Sequence, residues 1–351
     1  MSDLINLKDF TLPELEEFFQ DIGEPRYRAR QVADWIFRKG AHSFDDMTNL
    51  PALLRNRLAG MCTPGRAEII NKQISSRGGA VKYLFRLADG QAVESVLMKY
   101  SYGQSVCIST QVGCRMACAF CASTLGGRVR NLSAGEMYDQ VLAARGDSGQ
   151  RVSHIVLMGS GEPLDNYDNT VKFIKNVSAG YGLNIGFRHI TLSTCGVEPR
   201  IRQLAGEGMP ITLAISLHAP DNDLRDRLVP LNRKYPLAAL MEACRYYSGR
   251  TGRRITFEYI LLAGINDSPG QAGTLARLVG GIPCHVNLIP FNPVREREFK
   301  RPSPGAVQRF KAVLEKAGIE TTVRRELGTD IDAACGQLRR KMMFFQPESR
   351  E

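Results

Sequence analysis

Apolar positions change their period twice along this chain, and each change marks a different kind of element. Over residues 1–65 the spacing is helical. Thr11, Leu12, Pro13 and Glu14 form a capping box with proline in the first turn, and Leu15, Phe18, Phe19 and Ile22 continue it as one apolar stripe. A second helix is expected from Arg28 to Lys39, with Val32, Trp35 and Ile36 inward and Gly40 ending it. A third begins near Leu50 and Pro51. Trp35, the single tryptophan, is expected in the core. Between 66 and 104 the period shortens to two. Residues 81–87 and 92–98 alternate around Asp89-Gly90, which predicts a β-hairpin linking the helical front to the remainder of the chain. On that alternation Glu94 reads as an exposed strand carboxylate.

From Ser105 onward, apolar runs of strand length alternate with helical stretches. Strands are predicted at 105–109, 152–158, 187–193, 210–216, 254–261 and 284–290. Helices lie between them, for example at 134–145, after the capping box of Ser133 and Glu136, and at 236–248. Six βα units predict an α/β fold, a partial (β/α)6 barrel over 105–325. The helical domain (1–65) and the hairpin linker (66–104) precede it, and a C-terminal segment (326–351) comes after it. Loops after the strand C-termini would line the site, and an open side would admit a large substrate.

Charge adds a class of partner. Lys and Arg total 46 against 36 Asp and Glu, a formal +10, which suits a polyanion such as nucleic acid. Basic residues gather at Arg26/Arg28/Arg30, Arg38/Lys39, Arg128/Arg130, Arg250/Arg253/Arg254, Arg295/Arg297/Lys300/Arg301 and Arg339/Arg340/Lys341, although each group alone reads as a solvated face. Nine cysteines without an apolar leader at Met1-Ser2-Asp3-Leu4 suggest a reducing cytoplasm, and no apolar run is long enough to span a membrane.

The chemistry concentrates at strand ends. Cys114, Cys118 and Cys121 follow the first barrel strand with no fourth cysteine nearby. A structural zinc site takes four protein ligands, and electron-transfer clusters usually take four cysteines. Three thiolates can instead hold three irons of a 4Fe-4S cube and leave the fourth open. Phe120 would shield such a cluster. Met158 to Pro163 end the second strand, where glycine permits close backbone approach and Glu162 can accept from an ammonium. Ser193, Ser216-Leu217-His218 and Asn292 stand at later strand ends, with groups suited to ribose, carboxylate and adenine edges. Read from spacing alone, Cys107 is a buried apolar residue and Cys335 a loop thiol. Cys62, Cys195, Cys244 and Cys284 form no pattern and read as structural.

The Cys-x3-Cys-x2-Cys loop at the head of a βα array resembles the radical S-adenosylmethionine (SAM) superfamily. Taken with Gly161-Glu162-Pro163, Ser216-Leu217-His218, the run from Leu288 to Pro293 and the run from Asp330 to Leu338, it resembles the RlmN/Cfr family of radical RNA methyltransferases over nearly the whole chain. That resemblance implies a radical SAM barrel, a 4Fe-4S cluster on Cys114, Cys118 and Cys121, and two SAM molecules per turnover. It implies cofactor contacts at Gly161, Glu162, Ser193, Ser216, Leu217, His218 and Asn292. It also implies that Cys335 carries the methyl group, that Glu94 accepts the ring proton, and that Cys107 forms a transient disulfide with Cys335. Its implied partners are 23S rRNA, a tRNA and an electron donor such as flavodoxin, with the enzyme a monomer. Ser160 stands where the family often has methionine, and Cys195 where it has serine. Pro163 and the full helical front resemble the RlmN type, which acts on adenine carbon 2, the alternative being Cfr-like action at carbon 8. An RNA-binding protein with a non-catalytic cluster is the reading from another class. It leaves the open iron and Cys335 without purpose.

Overall fold

The computed structural model describes residues 4–293, 296–324 and 331. Strand β1 (Ile5–Asn6) pairs in parallel with β2 (Cys62–Thr63), closing a front layer of helices α1 (Leu12–Asp21), α2 (Arg26–Ala33) and α3 (Ala52–Ala59). Helix α1 starts at the expected Thr11–Glu14 capping box. Helix α2 passes into a π-helical turn, Asp34–Lys39, and stops at Gly40, whose φ of +74° few other residues tolerate. Trp35 is only half-buried, against the expectation of a core position. Its indole N–H donates to Asn49 Oδ1 at 2.6 Å, and Lys39 Nζ lies 3.7 Å from its ring centre. An amphipathic ring with a polar partner and a cation is stable at a boundary.

Ten strands form one sheet, and its two ends differ. β3 (Glu68–Ile74), β4 (Ala80–Arg86), β5 (Ala92–Tyr100) and β6 (Gly103–Cys107) run antiparallel to one another. Two short strands outside this sheet come next, β7 (Gln111–Gly113) and β8 (Arg128–Asn131). β6 then pairs in parallel with β9 (Val152–Leu157), and the sheet continues in parallel through β10 (Ile190–Thr194), β11 (Thr212–Ser216), β12 (Ile255–Leu261), β13 (Cys284–Pro290) and β14 (Thr321–Val323). Each of the six predicted barrel strands has its counterpart. Residues 187–189 form a 3-10 turn instead of opening the third, and β14 is an additional short strand.

Helices α4 (Ala134–Ser148), α5 (Tyr167–Ser178), α6 (Glu198–Ala205), α7 (Asn222–Leu228), α8 (Leu237–Thr251), α9 (Pro269–Val279) and α10 (Pro304–Lys316) connect these strands. The front layer and the barrel share one apolar core, in which Phe37 packs edge-on against Tyr138 of α4 at 5.0 Å. A fully buried Lys8 pairs with Asp139 beneath them. Removing either partner would strand a buried charge, at a cost of about 3–5 kcal/mol. The hairpin is equally continuous with the barrel, because β5 pairs with β6 in the register Val96 to Cys107.

Candidate active site

The cysteine loop is a closed excursion after β6. β7 and β8 pair antiparallel at its neck, and the Cys114 N–H donates to Gly127 O at 2.9 Å. Gly113 is required there: its φ is +77°, and a Cβ would meet Gly127 O at 2.0 Å. Asp165, just before α5, then fastens the loop. It accepts from Gln111 Nε2 at 2.9 Å, from Arg128 Nη1 at 2.8 Å and from Arg115, which lies between the first two cysteines. Cys114 and Cys118 are buried and Cys121 partly so, packed with Met116, Ala122, Leu228 and Phe291 in a patch separate from the main core. Burial pushes the Cys114 and Cys121 thiols up, so loading a metal must displace their protons. Among the described residues no three His, Cys, Asp or Glu side chains are already drawn to metal-binding distance. The donor set nevertheless fits an iron–sulfur cluster: soft thiols on one short tethered loop, with an apolar wall.

Facing the loop, the turn after β9 presents Gly161 and Glu162. Gly161 has φ +110°, and a Cβ there would lie 2.7 Å from Gln111 Cβ. The carboxylate of buried Glu162 accepts from Leu164 N at 3.0 Å and from Cys195 N at 2.7 Å. Burial outweighs both bonds and raises its pKa to about 7. Ser193 of β10 and Ser216 of β11 meet through their hydroxyls at 3.2 Å. Beyond β11, Leu217 is fully buried and His218 takes a left-handed φ of +61°. Burial, with Arg225 nearby, lowers the His218 pKa to about 3, so its ring is neutral. Its Nδ1 accepts from Ile260 N at 3.0 Å, which leaves the proton on Nε2, and Phe120 of the cysteine loop stands edge-on at 4.8 Å. Asn292 is exposed, and its Oδ1 accepts from Arg301 at 3.0 Å. These residues stand at one end of the parallel strands.

A pocket lies nearby, lined by Glu94, Ser95, Val96, Cys107, Gly159 and Ser160. Glu94 is therefore not the exposed carboxylate that strand alternation predicts. It is 5 % exposed, and the fully buried Lys82 on β4 lies 3.0 Å from Oε2. Alternation misleads because both faces of β5 are covered here: Ser95 donates to Gln140 of α4 at 2.8 Å on one face, while Glu94 occupies the other. Cys107 is buried, and its register opposite Val96 puts it on Glu94's face. Ser109 links this pocket to the cysteine loop. Its hydroxyl donates to Glu94 O at 2.7 Å and accepts from Ser160 N at 3.1 Å, while Ser160 Oγ meets Ser123 of the cysteine loop at 3.0 Å. Cys335 lies outside the described residues.

Comparison with known proteins decides what this arrangement belongs to. Residues 5–63 match the ribosomal RNA large subunit methyltransferase N-terminal domain, and residues 108–272 match the radical SAM superfamily. A probable dual-specificity RNA methyltransferase RlmN from Pelotomaculum thermopropionicum is 63% identical over 97% of this chain and 93% of its own. The corresponding protein of Clostridium tetani is 51% identical over the full length of both. The chain belongs to the RlmN family. A crystal structure of a radical SAM methyltransferase from Sphaerobacter thermophilus superposes with a TM-score of 0.90 at 47% identity, covering 95% of this chain and 98% of that one. An RlmN-family chain is a radical SAM RNA methyltransferase, and its superfamily implies a 4Fe-4S cluster and SAM.

Within this RlmN-family site, several residues escaped the sequence reading. Arg225 is fully buried and donates to Leu217 O, Cys195 O and Asn232 Oδ1, binding the ends of β10 and β11 together. Glu258 of β12 is buried in register with Ser216, accepts from Asn287 at 2.8 Å, and is raised in pKa chiefly by burial. A carboxylate inside the apolar run Ile255–Leu261 was the available signal. The basic groups divide. Arg26 and Arg30 are exposed, Arg30 with its Nε on Glu16 at 2.8 Å, whereas Arg130 is held by Asp89 and Glu136 with less exposure, and Arg297 turns inward to Cys121 O at 3.0 Å. Arg295, Arg339, Arg340 and Lys341 lie outside the described residues. Among the described residues no helix is long and apolar enough to cross a membrane.

Proposed function

We propose that this chain methylates carbon 2 of an adenosine in 23S rRNA near the peptidyl-transferase centre, and also the tRNA adenosine beside the anticodon. The observation that carries this reading is the joint pocket of Glu94 and Cys107, one turn away from the three-cysteine loop and the Gly161-Glu162 turn. A radical SAM protein that used its cluster for structure or sensing alone would have no use for a buried carboxylate and thiol opening on the same space.

In this reading Cys114, Cys118 and Cys121 hold the cluster. Glu162 binds the ammonium of the SAM methionine moiety, Ser193, Ser216 and the Nε2–H of His218 bind its polar edges, and Gly161, Leu217 and Asn292 complete the cofactor contacts. When bound, the cluster and an electron donor such as flavodoxin supply the electron that cleaves SAM to a 5′-deoxyadenosyl radical. Cys335 takes a methyl group from one SAM and, after hydrogen abstraction by the radical from a second, delivers it as a one-carbon bridge to the electron-poor ring carbon. Addition to the ring leaves an unpaired electron there: Glu94 accepts the proton from that carbon, with Lys82 as its countercharge, and the electron would return to the oxidised cluster. Cys107 then attacks the Cys335 sulfur. The carbon–sulfur bond breaks, its electron pair stays with the transferred carbon, which takes up a proton, and a Cys107–Cys335 disulfide remains. A buried site of this kind needs the target base splayed from its stack, and the exposed Arg26 and Arg30 of the front helices would grip the RNA backbone.

Mass spectrometry of rRNA and tRNA from cells lacking the gene tests substrate and ring position together. Loss of 2-methyladenosine from both RNAs is expected. Loss of 8-methyladenosine would replace the carbon 2 assignment, and unchanged RNA would remove the proposal.

A further inference from the structure

Cys195 belongs to no pattern in the sequence, yet the fold carries it into the thiol patch. It comes directly after β10, its Sγ lies 3.7 Å from Cys118 Sγ, and it packs with Cys114, Cys118, Cys121 and Phe120. Its backbone is held on two sides: the N–H donates to Glu162 Oε2 at 2.7 Å, and the carbonyl accepts from Arg225 Nη2 at 2.7 Å. Cys195 therefore joins the cysteine loop to the carboxylate assigned to the SAM ammonium. That is the side on which the iron left open by a three-cysteine loop must face its ligand.

A four-iron cube presents four ligand positions, and a thiolate is a strong soft donor for iron, where a hydroxyl is a poor one. We propose that Cys195 is a fourth cluster thiol: in the SAM-free enzyme its Sγ caps the iron that the loop leaves open, and the amino and carboxylate groups of SAM displace it. On capping, the S–H gives up its proton as the Fe–S bond forms. On displacement that bond breaks, the sulfur takes a proton back, and no electron moves. The cap would protect an otherwise exposed iron from loss between turnovers. This inference rests on Cys114, Cys118 and Cys121 holding a 4Fe-4S cluster.

Mössbauer spectra of anaerobically reconstituted full-length protein, with and without SAM, test it directly. Wild type is expected to show no distinguished iron until SAM is added. Cys195→Ser is expected to show a distinguished iron from the outset, and mild oxidation without SAM should give several-fold more of the three-iron EPR signal than in wild type. Added SAM should erase that difference. A distinguished iron in SAM-free wild type overturns the proposal, and this arm holds even if the variant loads poorly. Equal three-iron yields from the two loaded proteins overturn it as well. If wild type takes up no four-iron cluster at all, the reading of the cysteine loop falls with it.

Discussion

The thiol patch and the carboxylate pocket, linked through Ser109 and Ser160, handle charge in opposite ways. The thiol patch gathers soft groups against an apolar wall and keeps its ion pairs outside it, where Asp165 holds Arg115 and Arg128. Burial pushes the Cys114 and Cys121 thiols up, so a metal must displace their protons to bind. The carboxylate pocket already contains its charges. Glu94 and Lys82 form a buried ion pair between adjacent antiparallel strands, next to a thiol. The patch is presented by a single loop, and the pocket is assembled by strand pairing. They should respond differently to mutation.

The largest effect is expected from Cys118→Ala. Losing one of three loop thiols should abolish the four-iron cluster and with it all RNA methylation, read by iron content and visible absorption, while the far-UV spectrum stays folded. Glu94→Gln should leave the cluster and the methyl on Cys335 intact but slow RNA methylation by about a hundredfold to ten-thousandfold, the usual contribution of a general base. A Glu94→Gln enzyme with normal turnover would remove the carboxylate pocket from the reaction.

Lys82→Met sharpens the contrast through stability. It removes the countercharge of a buried carboxylate, and denaturant titration should show a loss of about 3–5 kcal/mol, much of it restored in Lys82→Met/Glu94→Leu. No comparable loss is expected from Cys118→Ala in cluster-free protein. The smallest effect concerns Glu162, whose pKa is raised by burial from 4.5 to about 7. The folded state then holds its proton more tightly than the unfolded one. In SAM-free protein the stabilisation is full below about pH 4.5 and is lost as pH rises through about 7, amounting to no more than about 3 kcal/mol. Thermal melts of wild type and Glu162→Gln across that range should diverge as pH rises, with wild type falling relative to the variant. Parallel curves would contradict the buried-carboxylate reading.

The same division explains what could be read from the residues alone. The cysteine loop, the Gly161-Glu162 turn and the barrel strands are local patterns, in which the chemistry and the turn that presents it lie within a few residues. The six βα units and the front capping box were legible for that reason. Glu94, Lys82 and Cys107 come together through cross-strand register, which periodicity does not report. Alternation even assigned Glu94 to solvent, because it assumes that one face of an antiparallel sheet is wet. Arg225 and Asp165 were missed for a related cause: each collects partners from segments far apart in the chain. The resemblance to the RlmN/Cfr family supplied roles for Glu94 and Cys107, and the fold shows the two sharing one pocket.

The claim that the carboxylate pocket completes the reaction is tested most directly by Cys107→Ala. The reconstituted variant should be incubated with RNA, SAM and reductant, then resolved on a denaturing gel. If Cys107 releases the product from Cys335, the variant should accumulate RNA covalently joined to the protein, mapping by mass spectrometry to Cys335, with little free methylated RNA. Normal yields of free methylated RNA and no adduct would contradict the account.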